Sequence, residues 1–251
     1  MPASVILPIR GGLAALDACL AALDRSLPAG TAVLLADDAC GDPRLTGLIE
    51  DWRAATRLSV RHLRGERPRG LPAACNDAFT DAGETDVVLL APDALPAGDW
   101  LQALPSPLPA DPAELQRAAG ANPASALQPL PAAAGPAVLL RRQALRQLGD
   151  FDAATFRHVE EALADWCRRA EAMGWQHLLC ESAYVARVPA EPALATPDEA
   201  EDLARLLARW PDQHERMARF LLEDPLREAR QRLQERLDAL SRSGPQGDLF
   251  G

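Results

Sequence analysis

Carboxylates recur in this chain where the flanking residues forecast a strand end or a helix face. Asp37 and Asp38 follow the apolar run Thr31–Ala36 and open the polar turn Asp37-Asp38-Ala39-Cys40-Gly41-Asp42. Asp93 follows a second apolar run, Asp86–Leu90. Glu161 and Asp165 stand four residues apart on one face of a helical pattern. A carboxylate so placed can accept hydrogen bonds, take a proton from a hydroxyl, or ligate a hard cation. The commoner roles for these residues are an ordinary Asp-rich turn and a solvated helix carboxylate. The histidines, His62, His158, His177 and His214, are scattered and show no metal-ligand spacing with another His, Cys or carboxylate. No Gly-x-Gly-x-x-Gly follows the first strand, so a dinucleotide-binding oxidoreductase is unsupported.

The elements that must position these residues follow from periodicity. Ser4–Ile9 reads as a buried strand, and Leu13, Leu16, Leu20 and Leu23 recur at helical spacing. Thr31–Ala36 is a second strand, Leu58–Leu63 a third and Asp86–Leu90 a fourth, with Gly70–Ala82 helical between the last two. Strands alternating with helices imply a mainly parallel sheet covered on both faces. In such sheets ligands sit beyond the carboxyl ends of the strands, so the loops after Ile9, Ala36 and Leu90 are the ones to watch.

Residues 105–136 carry eight prolines. That density excludes a regular helix or a central strand and predicts a long loop or insertion. Order returns at Ala137–Leu140, followed by a helix from Arg142 that Gly149 stops. A second helix spans Glu160–Met173, with Leu163, Trp166, Cys167 and Ala170 as its apolar stripe and Gly174 at the C-cap position. A strand-like pair, Gln176–Cys180 and Ala183–Val188, comes next. Thr196-Pro197-Asp198-Glu199 reads as a capping box opening a helix with Leu203, Leu206, Leu207 and Trp210 on one face. Asp224-Pro225 starts a last amphipathic helix. We therefore expect an α/β domain over residues 1–190, a helical extension over 191–242 and a flexible tail over 243–251.

Composition narrows the partners. The formal net charge is -10, which disfavours binding to bulk nucleic acid while leaving room for one small anion. All basic residues are Arg and Lys is absent, the mark of codon bias rather than of selection for guanidinium chemistry. Five cysteines without a Cys-x-x-Cys pair argue for reduced thiols and a cytoplasmic setting. No basic leader precedes the first strand, and no apolar run reaches the roughly 20 residues needed to span a bilayer. The tail Gln246-Gly247-Asp248-Leu249-Phe250 is similar to the short peptides that dock bacterial proteins onto the replication sliding clamp, with Gln246, Leu249 and Phe250 as the contact residues.

Six segments, in order, resemble family 2 glycosyltransferases of the GT-A fold. They are Ser4–Arg10, Leu34–Asp42, Arg69–Asn76 and Val87–Ala94 followed by Trp100-Leu101, then Arg141–Asp152 with its Gly-Asp-Phe-Asp ending, and Asp165–Ala170 with Gly174-Trp175. The resemblance covers residues 4–188 and implies an α/β GT-A domain with a helical C-terminal extension. It implies transfer of a hexosyl-type sugar from a nucleotide-diphosphate donor to a carbohydrate or glycoconjugate hydroxyl, with inversion, in bacterial polysaccharide assembly. It places Pro8, Arg10, Asp37, Asp38, Arg69, Asp93 and Arg187 around the nucleotide. It also implies Mg2+ or Mn2+ on Asp93 and a carboxylate base, for which Asp165 and Glu161 are the candidates.

Three positions depart from the family pattern. Ala91 stands where a first metal ligand is expected, Leu163 where the base is expected and Arg187 where a metal-ligating His is expected. A guanidinium cannot ligate a cation, though it can offer fixed positive charge to a diphosphate. These departures also fit a second reading, a catalytically degenerate module that binds a nucleotide sugar or a partner protein.

Overall fold

The computed structural model describes residues 3–104, 127–188 and 197–243. The clamp-like residues Gln246, Leu249 and Phe250, the capping residue Thr196 and most of the proline-rich stretch lie outside the described residues. Among those described, no helix is long and apolar enough to cross a membrane.

The core is a five-stranded sheet. Four strands are parallel: β1 (Ala3–Ile9), β2 (Ala32–Asp37), β3 (Ser59–Arg64) and β4 (Asp86–Leu90). Two short strands, β5 (Ala94–Pro96) and β6 (Leu127–Leu130), come before the fifth member, β7 (Ala137–Leu140), which pairs antiparallel with β4. The sheet order is β3-β2-β1-β4-β7. Successive residues of β1 are buried on opposite faces, as the two-residue strand period requires. Ile6 joins Leu34, Val87, Leu89, Val138 and Leu140 on one side, and Val5 and Leu7 join Val33, Leu35, Val88 and Leu90 on the other.

Each face has its own helices. Helix α1 (Leu13–Ser26) packs Leu16, Cys19, Leu20 and Leu23 on the second face, beside α2 (Pro43–Ala55) with Leu45 and Ile49. Helix α2 lacks a clear apolar stripe in the sequence, but its start is built well. Pro43 occupies the first turn and the Asp42 carboxylate accepts from the Arg44 N–H at 3.0 Å. The short α4 (Trp100–Ala103) buries Trp100 on this side. The first face is covered by α3 (Leu71–Asp81), α5 (Arg142–Leu148) and α6 (Val159–Ala172), which contribute Phe79, Leu145, Leu163 and Trp166.

The strand-like segments near residue 180 do form strands, β8 (His177–Cys180) and β9 (Val185–Arg187), but not with each other. β8 pairs antiparallel with β6, and β9 with β5. The proline-rich stretch thus ends in a short strand carrying Pro129, in a two-stranded ribbon, where each strand has a free edge that tolerates a missing N–H. Helix α7 (Pro197–Arg209) belongs to the same compact unit, which runs to Pro211. A second unit from Asp212 contains α8 (Gln213–Glu223) and α9 (Arg227–Ser243). Asp224, at φ 47°, ends α8 in the left-handed region ahead of Pro225, so the polar Asp-Pro pair closes one helix before the next begins.

All five cysteines are free. Burial pushes the Cys19 and Cys167 thiols up to about 12, so neither is a thiolate nucleophile near neutral pH.

Candidate functional site

The carboxyl ends of β1, β2 and β3 are tied into one junction by hydrogen bonds. The Asp38 N–H donates to the Ile9 carbonyl at 3.2 Å, and the Gly65 N–H donates to the Asp37 carbonyl at 2.9 Å. Asp38 is buried, and its two carboxylate oxygens accept the N–H groups of Arg69 and Gly70 at 2.7 and 2.9 Å. Asp37 is buried too. It accepts from the Cys40 N–H at 2.7 Å and faces the His62 Nε2 at 2.9 Å. Both aspartates staple the turn that the sequence marks as a nucleotide contact. Pro8 lies one residue inside β1, buried and opposite Ala36. Arg69 sits at the rim with its guanidinium on Asp77.

Gly70 makes this junction possible. Its φ is 98°, a region that L side chains rarely adopt. A Cβ there would meet the Arg157 Cδ at 3.0 Å and its Cα at 3.2 Å. Arg157 lies across Gly70, and its carbonyl accepts the Leu71 N–H at 3.1 Å. We expect Gly70→Ala to cost about 1–3 kcal/mol in urea unfolding, from backbone strain and the displaced Arg157 backbone together. A loss under a few tenths of a kcal/mol would show that this crossing is not tight.

The start of α6 joins the same junction from the other side. His158 precedes the helix, is 8% exposed, and places Nε2 3.4 Å from Arg10 Nη1 at the end of β1. Its Nδ1 lies 3.0 Å from Asp202 Oδ2 on α7. Asp202 is fully buried. Its Oδ2 also accepts the Arg157 and His158 N–H groups at 2.6 and 2.9 Å, and Oδ1 accepts from Arg205 at 2.7 Å. Burial works to raise the Asp202 carboxyl, but these donors outweigh it and hold the group below the ordinary carboxylate range.

Glu161 completes the group. Ligating atoms of His158, Glu161 and Asp202 all lie within 4.8 Å of one another. The Glu161 Oε2 is buried and has no hydrogen-bond partner. Desolvation raises its carboxyl above the ordinary range, and the neighbouring Glu160 charge adds to that. A half-desolvated carboxylate with a free oxygen is suited to take a proton.

The remaining sequence candidates lie apart from this group. Asp93 and Arg187 pair with each other across β5 and β9, Nε to Oδ2 at 2.9 Å and Nη2 to Oδ1 at 3.1 Å. Asp165 is fully buried further along α6. Arg169 Nε reaches its Oδ2 at 2.9 Å, and Arg209 Nη1 and Trp210 Nε1 reach its Oδ1 at 3.0 and 2.9 Å. It anchors α7 to α6 and faces no open space. Leu163 is a core residue.

A divalent cation fits neither acidic group. Asp93 has both oxygens on a guanidinium, and Ala91 adds no carboxylate. The oxygens of Asp202 already accept N–H donors, Arg205 among them, and the Arg10 guanidinium lies against the His158 ring. Ca2+, Mg2+ and Mn2+ want several free oxygens, which neither cluster offers.

Sequence reasoning passed over His158, Arg157 and Asp202. A signal was present for Asp202. It shares a helical face with Leu206 and Arg209, four and seven residues on, and a carboxylate on a buried stripe is rarely idle. His158 stands 44 residues away from it, beyond any local pattern.

No protein-family model and no curated protein sequence matches the chain. Solved structures do. GalNAc-T7 with UDP, GalNAc and Mn2+ aligns at TM-score 0.67 and 16% identity, covering 86% of this chain and 49% of that one. The mannosyltransferase PcManGT from Pyrobaculum calidifontis with GDP-Man and Mn2+ gives 0.49 and 22%, covering 64% and 50%. S. aureus TarS gives 0.47 and 16%, covering 68% and 33%. The first of these establishes the GT-A fold for this chain, which spans about half the length of that solved chain.

Proposed function

We propose that this chain transfers a sugar from a nucleoside-diphosphate donor to an acceptor hydroxyl, with inversion, and that Glu161 takes the acceptor's proton. The observation that supports it most is the junction in which Arg10, the Asp38-stapled loop, Arg157 and Glu161 meet at the strand ends of a GT-A sheet. Ligands of such sheets bind there. The chemistry follows from the groups present. The hydroxyl oxygen attacks the sugar's anomeric carbon from the face opposite the diphosphate. A C–O bond forms, the bond to the diphosphate breaks, and the hydroxyl proton passes to Glu161. Inversion is the result of that single displacement.

The register of α6 favours Glu161 over Asp165. Glu161 lies in the first turn, within reach of His158, whose ring contacts Arg10 at the end of β1. Asp165 lies one turn further in, closed off by α7. The proposed substrates are a nucleotide sugar and a carbohydrate or glycoconjugate acceptor, as in family 2 enzymes of bacterial polysaccharide assembly in the cytoplasm.

Thermal unfolding with UDP-, GDP- and dTDP-sugars, each with Mn2+ or with EDTA, tests the reading. A donor at a hundred times its Kd should stabilise the chain by about 2.7 kcal/mol, with or without Mn2+. If none of the donors shifts unfolding in either condition, the transferase reading fails and a protein-binding role takes its place.

A further inference from the structure

Loss of a metal site leaves a physical problem, because the departing diphosphate gathers negative charge that something must neutralise. Arg187 answers poorly. Both of its engaged nitrogens lie on Asp93, so the pair is close to neutral. Arg69 is likewise held on Asp77, and Arg64 bonds the Cys40 carbonyl and approaches Asp37 at 3.8 Å.

Arg10 differs. It is exposed at the end of β1, and among the described residues no carboxylate lies within ion-pair distance of it. Its partner is His158 Nε2, at the long end of hydrogen-bond range, 3.4 Å. The protonation of that ring can be assigned from its two neighbours. The Asp202 carboxylate can only accept, so Nδ1 carries the proton. The Arg10 guanidinium can only donate, so Nε2 presents a lone pair. Arg10 thus keeps its full charge while its direction is fixed by the ring. Asp202 is itself fixed by two backbone N–H groups and Arg205. The chain Asp202–His158–Arg10 thus runs from helix α7 to the strand end where the donor is placed.

We propose that Arg10 is the fixed cation that meets the donor's diphosphate, and that His158 and Asp202 are positioning residues that hold it there in place of a metal ion. This rests on the nucleotide-sugar reading above. In the transfer step Arg10 forms no bond to carbon. It donates hydrogen bonds to the diphosphate oxygens that gain charge as the sugar leaves.

The two ring nitrogens can be tested apart. Asn at position 158 keeps a donor near the Nδ1 position and loses the acceptor, whereas Gln keeps an acceptor near Nε2. The probes are UDP and GDP, titrated calorimetrically in EDTA and again with Mn2+. Arg10→Ala should weaken binding of whichever nucleotide the wild type takes by about tenfold, the scale of one charge-assisted hydrogen bond. His158→Asn should lose nearly as much, His158→Gln should stay within about twofold, and the Arg10→Ala/His158→Asn double variant should bind no worse than Arg10→Ala. Arg10 is exposed, so its variant folds and reports even where a position 158 variant does not. Wild-type affinity in Arg10→Ala, or equal losses in the Asn and Gln variants, overturns the proposal while leaving the transferase reading intact. Binding that EDTA abolishes overturns it as well. A wild type that binds neither nucleotide in either condition defeats the transferase reading itself, and the proposal with it.

Discussion

Glu161→Gln is expected to reduce sugar transfer by about 10²–10³-fold while leaving nucleotide affinity within about twofold, since a positioned general base contributes on that scale. The amide has nearly the same shape but cannot accept a proton. Turnover of the sugar nucleotide that most stabilises the wild type, followed by release of UDP or GDP, measures it. The pH dependence carries a matching sign. Burial raises the Glu161 carboxyl, so the wild-type rate should fall as pH drops through a value above the ordinary glutamate range. The same shift opposes folding. Below its unfolded pKa the group is protonated in both states and costs nothing extra. As pH rises through the window up to its raised folded pKa, the unfolded chain releases the proton more readily, and stability falls. Glu161→Gln should therefore unfold at or above the wild-type temperature at neutral pH while losing activity. A variant that loses stability and activity together would point to a packing role, and one that keeps full turnover would remove Glu161 from the mechanism.

The sheet was legible because its chemistry is local. β1, β2, β3 and β4 each alternate or run apolar between turn signals, and the structure moves their ends by a residue at most. The GT-A likeness agrees with the ordered segments read from residues 4–188. The ribbons were less legible. β8 and β9 lie close in sequence, yet they pair with β6 and β5, since neither has a tight turn of its own to enforce a hairpin. Helix α8 also leaves a weak trace, because its exposed Leu221 and Leu222 blur the apolar stripe.

The site was harder for one physical reason. An aspartate that binds a ligand and an aspartate that staples a loop are the same residue type in the same kinds of turn. Among the described residues five aspartates are buried, Asp37, Asp38, Asp86, Asp165 and Asp202, and each bridges segments far apart in the chain. Asp86 is typical: its oxygen accepts the Arg142 N–H at 2.7 Å and so ties β4 to α5. Only burial and partners separate the two roles, and both depend on tertiary contacts that spacing does not encode. Glu161 stood out in the structure by the opposite sign, a buried oxygen without a partner.

Asp165 supplies the sharpest test of that distinction. It is fully buried, with Arg169, Arg209 and Trp210 as donors, and Arg209 also reaches Asp152 at 2.9 Å. Arg209 further lies 5.5 Å above the Phe156 ring. Removing the carboxylate would leave two guanidinium groups and an indole N–H facing a void. Breaking one side of a buried ion pair costs about 3–5 kcal/mol, and because both arginines are partly exposed we place Asp165→Ala near the lower end, at about 3 kcal/mol. For a chain of this length that corresponds to a fall in Tm of roughly 6–12 °C. Acid should weaken the same anchor. Burial alone would raise Asp152, but the Thr155 and Arg209 hydrogen bonds hold it below the ordinary range. Its stabilisation is therefore present above the unfolded pKa and lost as pH falls through the lowered folded one. Assayed well below its Tm, Asp165→Ala should keep the nucleotide affinity and most of the transfer rate, because nothing it touches reaches the Arg10–Glu161 junction directly. A variant with unchanged Tm and abolished transfer would return Asp165 to the role of base and place the active cleft on the other side of α6.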